Sequence, residues 1–273
     1  MIYVITAVHN RYDITKKFIC QLLEQSYKDI QLILVDDAST DGTAAMVKKV
    51  MPDAVILHGD GNLWWGGALH KAYQWIKDSA DNKAYVMFAN DDTMFDGDYI
   101  ERAIGILKSK EHVLLSGCGI EKKSGKQLDG AVVYDFRKVS SRLSDHCEGN
   151  CASTRSLFFR VEDFKTIGGF HPVFLPHYAS DYEWTIRACK KFGYKVCSDP
   201  DLKYYVSPET TGNNSYQTMT RKQALSKKSV SNPVYKFSFI FLVTPIKYLP
   251  SAMASQIGRY FGKRKMISRI LRR

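Results

Sequence analysis

Asn90, Asp91 and Asp92 follow an apolar run over residues 84–89 and carry the most distinctive chemistry in the sequence. Proteins usually hold Mg²⁺ or Mn²⁺ beside a pyrophosphate with one or two carboxylates, and the ligand's own phosphate oxygens complete the site. Such an ion neutralises phosphate oxygens and assists departure of the leaving group. Asn and Asp are also favoured in turns and helix caps, so these three residues alone do not establish a metal site.

Asp181 and Glu183 stand just before or within the first turn of a predicted helix. Acidic residues at that position are stabilised by the helix dipole, which is an alternative reason for their presence. A reaction at a hydroxyl needs a general base close to the reacting carbon, and a carboxylate can serve. Asp181 suits this role if its loop folds over the other polar residues.

Two further segments combine polar or glycine residues with the ends of apolar runs. Asp36 and Asp37 could accept hydrogen bonds from a base or ribose, or could cap the helix predicted after Asp41. Trp64 and Trp65 precede two glycines, which permit close approach of the backbone to a ligand. Their indoles could stack on a base or sugar, or could belong to the core.

The apolar pattern predicts the elements that would position these residues. Short β-branched runs predict strands at 2–8, 30–35, 54–58 and 84–89, and helical spacing predicts helices at 13–26, 43–50 and 68–76. We interpret residues 64–67 as a loop. Alternating strands and helices predict an α/β protein with a mainly parallel sheet and helices on both faces. Ligands bind beyond the carboxyl ends of such strands, which would gather residues 9–11, 36–37 and 90–92 into one crevice.

The second half of the chain is less regular. It favours strands at 112–119, 131–136 and 149–160, and helices at 161–167 and 181–192. We predict a catalytic domain over residues 1–209 and a C-terminal helical tail over residues 210–273.

Six segments, in this order, resemble the motifs of family 2 glycosyltransferases with the GT-A fold. They lie at residues 6–11, 35–43, 61–68, 88–93, 167–170 and 180–196, and span roughly residues 1–200. The resemblance implies a Rossmann-like, nucleotide-binding GT-A fold with a mixed sheet. It also implies that a sugar is moved from a nucleotide-diphosphate sugar donor.

The resemblance further implies a role for each matching residue. Those implied to bind the nucleotide-sugar are Thr6, Ala7, Asn10, Arg11, Asp37, Asn62, Trp65, Gly66, Gly67, Asn90 and Asp91. Asp92 is the implied ligand of Mg²⁺ or Mn²⁺, and Asp181 is the implied catalytic base. A single base without a protein nucleophile implies direct displacement with inversion at the anomeric carbon.

The chain departs from the family pattern at three places. Asn90 replaces the first Asp of the metal motif, Ser180 stands where an acidic residue often precedes the base, and residues 204–207 lack the metal-binding His of many relatives. Metal binding would therefore depend mainly on Asp92. Residues expected to contact the acceptor are His177, Arg155 and Glu183, although a structural salt bridge is the alternative for Arg155.

Charge is distributed unevenly along the chain. Residues 210–273 hold 13 of the 39 Lys and Arg residues and no Asp or Glu, so the net charge of +11 is concentrated there. Residues 255–273 also place apolar side chains on one helical face, which predicts binding to an anionic membrane surface. The alternative is packing on the catalytic domain or on a second copy in a homodimer. Nucleic acid is not an expected partner, because no recognised binding module accompanies the charge.

The location is predicted from what the sequence lacks. Residues 1–5 form too short an apolar run for a signal peptide, and no apolar stretch is long enough to span a bilayer. The six scattered cysteines of a chain this large are expected to be reduced thiols. We therefore expect a cytoplasmic protein, peripheral on the inner face of the cell membrane.

The expected activity is hexosyl or deoxyhexosyl transfer to a saccharide or lipid-linked oligosaccharide in cell-surface polysaccharide synthesis. One alternative is a sugar-nucleotide pyrophosphorylase, but such enzymes carry a glycine-rich loop near the N-terminus, and residues 6–13 contain no glycine. The other alternative is an inactive nucleotide-sugar-binding subunit. The presence of both Asp92 and Asp181 argues against it.

Overall fold

The computed structural model describes residues 1–206, 225–227 and 229–270, with side chains to residue 259. Most of the apolar stripe and cationic flanks predicted for residues 255–273 therefore lies outside the described side chains. Ser207, within the segment where a family histidine was sought, also lies outside the described residues.

One mixed sheet of ten strands forms the centre of the molecule. Its first half is parallel, in the order β3-β2-β1-β4, with β1 Ile2–Val8, β2 Ile30–Asp36, β3 Val55–His58 and β4 Tyr85–Ala89. The sheet continues from β4 through β11 Ser156–Arg160, β6 Val113–Glu121, β12 Lys195–Val206 and β10 Glu148–Gly149. The short strands β5 Met94–Phe95 and β7 Gln127–Asp129 pair with β12 and β6. Two more strands, β8 Val132–Asp135 and β9 Ser140–Leu143, make a separate hairpin.

Successive residues of a strand point to opposite faces of the sheet, and here both faces carry apolar side chains. Helices therefore cover both faces. Val4 belongs to one apolar core and its neighbours Tyr3 and Ile5 to the other. The first core includes residues of α1 Tyr12–Leu23, α2 Thr43–Val50 and α4 Tyr99–Lys108. The second includes residues of α3 Trp64–Ser79, α5 Val161–Ile167 and α6 Ser180–Phe192. The expected α/β class and mixed sheet are confirmed.

Two helices follow the sheet, α7 Pro233–Val243 and α8 Leu249–Ile270, separated by a 3-10 turn at Ile246–Tyr248. Phe239 and Val243 of α7 pack in a third apolar cluster with Leu175 and Ile186. Arg259 of α8 donates to the backbone carbonyls of the β8–β9 turn at 2.7 and 2.9 Å. These side chains of the tail therefore pack on the sheet domain. For them the structure favours the alternative expectation, packing on the catalytic domain, over burial in a membrane.

Within the part of the chain that the structure describes, no helix is both long enough and apolar enough to cross a bilayer.

Two predicted elements differ from the structure. Residues 64–67 are the first turn of α3 rather than a loop, and the Trp64 N–H at its start donates to the Asp37 carboxylate, which lies outside the helix. Residues 149–160 are not one strand: the N–H groups of Asn150 and Cys151 both reach the carbonyl of Val132, and that of Ala152 reaches the Thr185 hydroxyl. Those bonds take the segment out of the main sheet until β11.

Candidate active site

The loops after β1 and β2 are joined through Asn10. Its backbone N–H donates to the Ser39 hydroxyl at 2.9 Å, and its side-chain oxygen accepts from the Thr40 N–H at 2.7 Å. Asn10 has a φ of 52°, a left-handed conformation that Asn tolerates better than most residues. Thr6, within β1, keeps a buried hydroxyl without a partner among the described residues. The segment predicted to bind the nucleotide, Thr6 to Arg11 with Ala7, therefore does lie at the carboxyl end of β1.

Arg11 links the start of α1 to the acidic pair after β4. Its Nε donates to Oδ2 of Asp91 at 2.9 Å, and the Thr15 hydroxyl donates to the same oxygen at 2.9 Å. A second nitrogen of Arg11 lies 3.4 Å from Oδ2 of Asp92. Burial raises the pKa of Asp91, and the nearby guanidinium opposes that effect. Asp91 is thus held by Arg11 and Thr15, whereas among the described residues Asp92 has only the longer contact with Arg11.

Asp37 organises the segment between β3 and α3. One carboxylate oxygen accepts from the Gly61 N–H at 2.8 Å, and the other accepts from the Trp64 N–H at 3.1 Å. The second bond caps the positive end of the α3 dipole. Asp37 therefore shapes the loop that carries Asn62, whose exposed side chain lies at the surface. The predicted contact between Asp37 and the nucleotide stays a prediction.

The glycines of α3 bring that helix against the loop before Asp181. The Gly66 N–H donates to the Pro176 carbonyl at 2.8 Å. A Cβ at Gly66 would overlap the Leu175 carbonyl oxygen, so only glycine allows this approach. A Cβ at Gly67 would lie 3.3 Å from that of Leu63, a tight but less severe contact. The segment predicted to bind the donor, residues 61–68, and the segment before the predicted base, residues 175–180, are therefore in direct backbone contact; they are called the donor segment and the base segment below.

The two tryptophans have different environments. Trp65 packs against the second core, and its Nε1 donates to the Thr154 hydroxyl at 2.7 Å. This placement argues against a donor contact through the indole N–H of Trp65. Trp64 instead lies with its ring centre 5.7 Å from that of His177, and its buried Nε1 has no partner among the described residues. Trp64 is thus the better placed of the two to bind a ligand.

Arg155 joins the acidic turn to the base region. Its backbone carbonyl accepts from the Asn90 N–H at 3.1 Å, and its guanidinium is close enough to Asp181 to lower that residue's pKa. Asp129 lies in the same region and accepts hydrogen bonds from the hydroxyls of Tyr204, at 2.7 Å, and Ser153. The residues after β4, those before β11 and the base therefore meet in one place.

Asp181 is the second residue of α6 and lies in its first turn, as its spacing predicted. Its Oδ1 accepts from the Tyr182 N–H at 2.9 Å. Burial raises the pKa of Asp181 to about 6; the Tyr182 hydrogen bond lowers it, Asp129 adds to the rise, and Arg155 opposes it. A carboxylate with a pKa close to neutral is well matched to accept a proton at physiological pH.

Asp181 lines a cavity of about 420 Å³ between the β8–β9 hairpin, the start of α6 and the C-terminal helices. Five aromatic side chains contribute to its wall: Tyr134, Tyr178, Tyr182, Tyr235 and Phe239. Residues 229–259 supply more than half of the lining. The proposed base therefore faces an aromatic cavity that the tail helps to build.

Glu183 does not share this cavity. Residues two positions apart on a helix point in nearly opposite directions, and the buried carboxylate of Glu183 instead accepts from Nε of Arg187 at 2.8 Å. His171 lies 3.7 Å from the same oxygen. The geometry thus gives Glu183 a structural ion pair and argues against the predicted acceptor contact. His177 lies beside Trp64 and Tyr178, between the donor segment and the cavity.

Asp92 could be one ligand of a divalent cation whose other ligands include phosphate oxygens. Among the described residues, no group of three or more His, Cys, Asp or Glu side chains forms a complete protein site. Mg²⁺ in nucleotide sites needs only one or two carboxylates when phosphate oxygens complete its coordination. Asp92 has unused lone pairs, whereas Asp91 is occupied by Arg11 and Thr15.

Sequence reasoning missed Asp129, Tyr134 and Gln256. Asp129 ends a three-residue strand, Tyr134 belongs to a detached hairpin, and Gln256 lies in α8. No spacing in the sequence links these residues to Asp181, because only the tertiary packing of the hairpin and tail brings them together.

Comparison with known proteins is consistent with this geometry. Residues 3–167, more than half of the chain, match the sequence model described as glycosyl transferase family 2. A search of curated proteins found no match to the chain.

Several solved structures share the fold. A mannosyltransferase from Pyrobaculum calidifontis, in complex with GDP-Man and Mn²⁺, is 17% identical with a TM-score of 0.59; the match covers 93% of this chain and 73% of that one. S. aureus TarS, residues 1–349, is 15% identical with a TM-score of 0.57, covering 96% and 72%. GalNAc-T7 with UDP, GalNAc and Mn²⁺ is 10% identical with a TM-score of 0.66, covering 87% and 48%.

Proposed function

The chain belongs to glycosyl transferase family 2, and on that premise we propose that it is an inverting, metal-assisted enzyme of cell-surface polysaccharide synthesis. It would move a hexosyl or deoxyhexosyl group from a nucleotide-diphosphate sugar to a hydroxyl of a saccharide or lipid-linked oligosaccharide. The observation that carries this proposal is Asp181, a largely buried carboxylate with a raised pKa, which faces a cavity beside the donor segment.

In the proposed reaction Asp181 is the general base. Its carboxylate takes the proton of the acceptor hydroxyl while that oxygen bonds to the anomeric carbon. The bond from the anomeric carbon to the diphosphate oxygen breaks, and the nucleoside diphosphate leaves. Attack from the face opposite the leaving group inverts the configuration. Among the described residues, Asp181 is the one carboxylate in the cavity, which supports a single displacement.

The donor would lie across the carboxyl ends of β1, β2 and β4. Two indications support this position: the buried Thr6 hydroxyl and Trp64 indole N–H, both without partners in the described chain. Buried polar groups are normally hydrogen-bonded, so such atoms are candidates for ligand contacts. The bound cation, held by Asp92, would neutralise the diphosphate as it leaves. Arg11 contacts both Asp91 and Asp92 and would therefore place a cationic group near the diphosphate.

We also propose that the enzyme works at the cytoplasmic face of an anionic membrane. Exposed apolar side chains on α7 and the turn after it support this, notably Phe241 and Ile246, with Lys247 next in sequence. The basic excess of residues 210–273 supports it too. A lipid-linked acceptor would then be met at the surface where it resides.

The decisive experiment measures donor binding and turnover separately. The full chain is titrated calorimetrically with UDP, GDP and dTDP in the presence of Mn²⁺, and hydrolysis of the matching nucleotide sugars is followed. We expect one nucleotide to bind in a Mn²⁺-dependent manner. Asp181→Asn should retain that binding and lose about 10²–10⁴-fold in turnover, the range typical of a general base.

Asp145→Asn is the matched control, because Asp145 is an exposed carboxylate that pairs with Arg142 and lies outside the cavity lining. Nucleotide binding with no turnover of any donor would indicate an inactive binding subunit. Formation of a nucleoside triphosphate from the nucleotide sugar and pyrophosphate would indicate a pyrophosphorylase. Undiminished turnover in Asp181→Asn would remove the base assignment.

A further inference from the structure

Two polar side chains line the cavity beside Asp181, those of Tyr134 and Gln256. The Tyr134 hydroxyl is buried and has no partner among the described residues. Gln256 is only 8% exposed, so its amide is largely withdrawn from solvent. Tyr134 is on the β8–β9 hairpin and Gln256 is on α8, so the two residues are far apart in sequence but line the same cavity.

Buried groups of this kind normally have partners, because leaving them unpaired loses the hydrogen bonds they make with water. Packing alone would favour Phe at position 134 and an apolar residue at position 256. A phenol and an amide facing one cavity are instead suited to a ligand that presents hydroxyl groups. The amide can both donate and accept, and so can the phenol.

Aromatic side chains form another part of the wall. Tyr178, Tyr182, Tyr235 and Phe239 surround the space, and aromatic rings offer apolar faces with polar edges. The cavity volume of about 420 Å³ falls in the usual range for small-molecule sites, about 300–1,000 Å³. Among its lining residues, Asp181 is the only acid, so it alone can accept a proton as a carboxylate.

We propose that this cavity is the acceptor site and that it binds a neutral pyranose ring. The aromatic side chains cover the faces of the ring, Gln256 and Tyr134 hydrogen-bond to its hydroxyls, and Asp181 meets the hydroxyl that reacts. This inference rests on the proposed function and deepens it by assigning the acceptor class and the residues that select it. An alkyl chain would leave the Tyr134 hydroxyl unpaired and would cover the Gln256 amide with hydrocarbon, so a lipid tail is not the favoured occupant.

Lys236 and Arg259 also line the cavity, but Arg259 already donates to the carbonyls of Lys138 and Val139. Its guanidinium therefore serves first to attach α8 to the hairpin. By that attachment it holds Gln256, three residues earlier on the same helix, in position over the cavity.

The test is ligand binding by the full chain, with Mn²⁺ and the preferred nucleoside diphosphate present. The probes are methyl α- and β-pyranosides of glucose, galactose, mannose, rhamnose and N-acetylglucosamine, detected by saturation-transfer NMR. We expect at least one to bind. Gln256→Met and Tyr134→Phe should each weaken it by about 2- to 10-fold, which is the loss of one or two ordinary hydrogen bonds.

Thr244→Val is the matched control. Thr244 also carries a buried hydroxyl without a partner among the described residues, on the same C-terminal segment but outside the cavity lining. It should leave pyranoside binding unchanged. Tyr134→Phe should not lower the melting temperature, because the hydroxyl it removes makes no bond in the described protein.

Three results would overturn the assignment: no pyranoside binds, both cavity variants bind as wild type does, or decyl phosphate binds in place of the sugars. Nucleoside diphosphate binding is measured in the same samples. If that binding is retained while pyranosides fail, the acceptor site is wrong and the donor site stands. If nucleotide binding is absent as well, the proposed function itself fails.

Discussion

The carboxylate of Asp181 is governed by four competing influences. Burial acts most strongly and disfavours the charged form, and Asp129 acts in the same direction. The Tyr182 N–H and the Arg155 guanidinium favour the charged form but do not outweigh burial. The result is a pKa of about 6, so Asp181 is mainly ionised at neutral pH yet still a stronger base than an exposed Asp.

This balance predicts the pH dependence of turnover. Because the base acts when deprotonated, kcat/KM should rise with pH and level off above about 6. Asp129→Asn removes a neighbouring negative charge and should shift the acidic limb to lower pH. Profiles measured from pH 4.5 to 8.5 for both proteins check this; an unshifted limb would show that Asp129 does not influence the base.

The same raised pKa affects stability. A salt-bridged carboxylate with a lowered pKa makes the protein more stable as pH rises, whereas Asp181 makes it less stable. The folded state holds the proton of Asp181 more tightly than the unfolded state, so stability is lost as pH rises from the ordinary Asp range through about 6. Asp181→Asn removes that loss. As a second readout, the variant should be more stable than wild type at pH 8, by about 1–2 kcal/mol, and nearly equal to it at pH 4.

At the scale of elements, the start of α3 connects the donor and base segments. Asp37, which directly follows β2, caps it, and the Pro176 carbonyl accepts from the Gly66 N–H within its first turn. The position of the base loop therefore depends on the position of the donor loop. This contact exists because residue 66 has no side chain.

Gly66→Ala tests this dependence. The new Cβ would overlap the Leu175 carbonyl, so the base loop must shift, and we expect turnover to fall at least tenfold with a stability loss of about 1–3 kcal/mol. Gly105→Ala is the control: Gly105 is also within a helix, but a Cβ there meets nothing within 4 Å. It should stabilise the protein by about 0.5–1 kcal/mol and leave turnover unchanged. Equal effects of the two variants on turnover would contradict the proposed coupling.

The elements that carry the donor segments could be predicted from the sequence, and the acceptor cavity could not. Strands such as β1 and β4 are short apolar runs, whose period and β-branched content are local signals. The start of α3 was misplaced because its cap, Asp37, comes from a different element. Tyr134 and Gln256 were missed for the same reason, since they become neighbours only through packing of the tail.

For the whole molecule, the tail has two faces with different roles. One packs on α6 through Phe239 and Val243, and the other exposes apolar side chains to solvent. Ile246 is 88% exposed and Phe241 is 66% exposed. Such side chains beside cations are typical of surfaces that insert shallowly into anionic lipid.

Membrane binding is tested by flotation with phosphatidylglycerol-containing vesicles. The double variant Phe241→Ser/Ile246→Ser should lose most of the flotation, and 0.5 M salt should weaken wild-type binding because charge attraction is screened. Leu23→Ser is the control, since Leu23 is 47% exposed and ends α1, which packs on the first apolar core and not in the cluster that contains α7. Undiminished flotation of the double variant would remove the proposal, and a dimer in sedimentation that the double variant abolishes would favour a subunit interface.

The position of the tail against the cavity has an evolutionary consequence. The residues proposed to bind the nucleotide lie within the first half of the chain, whereas more than half of the described cavity lining comes from residues 229–259. If the proposed acceptor site is correct, substitutions in that late stretch would alter the choice of acceptor and leave the proposed donor site unchanged. Donor and acceptor specificity could then evolve separately within one chain.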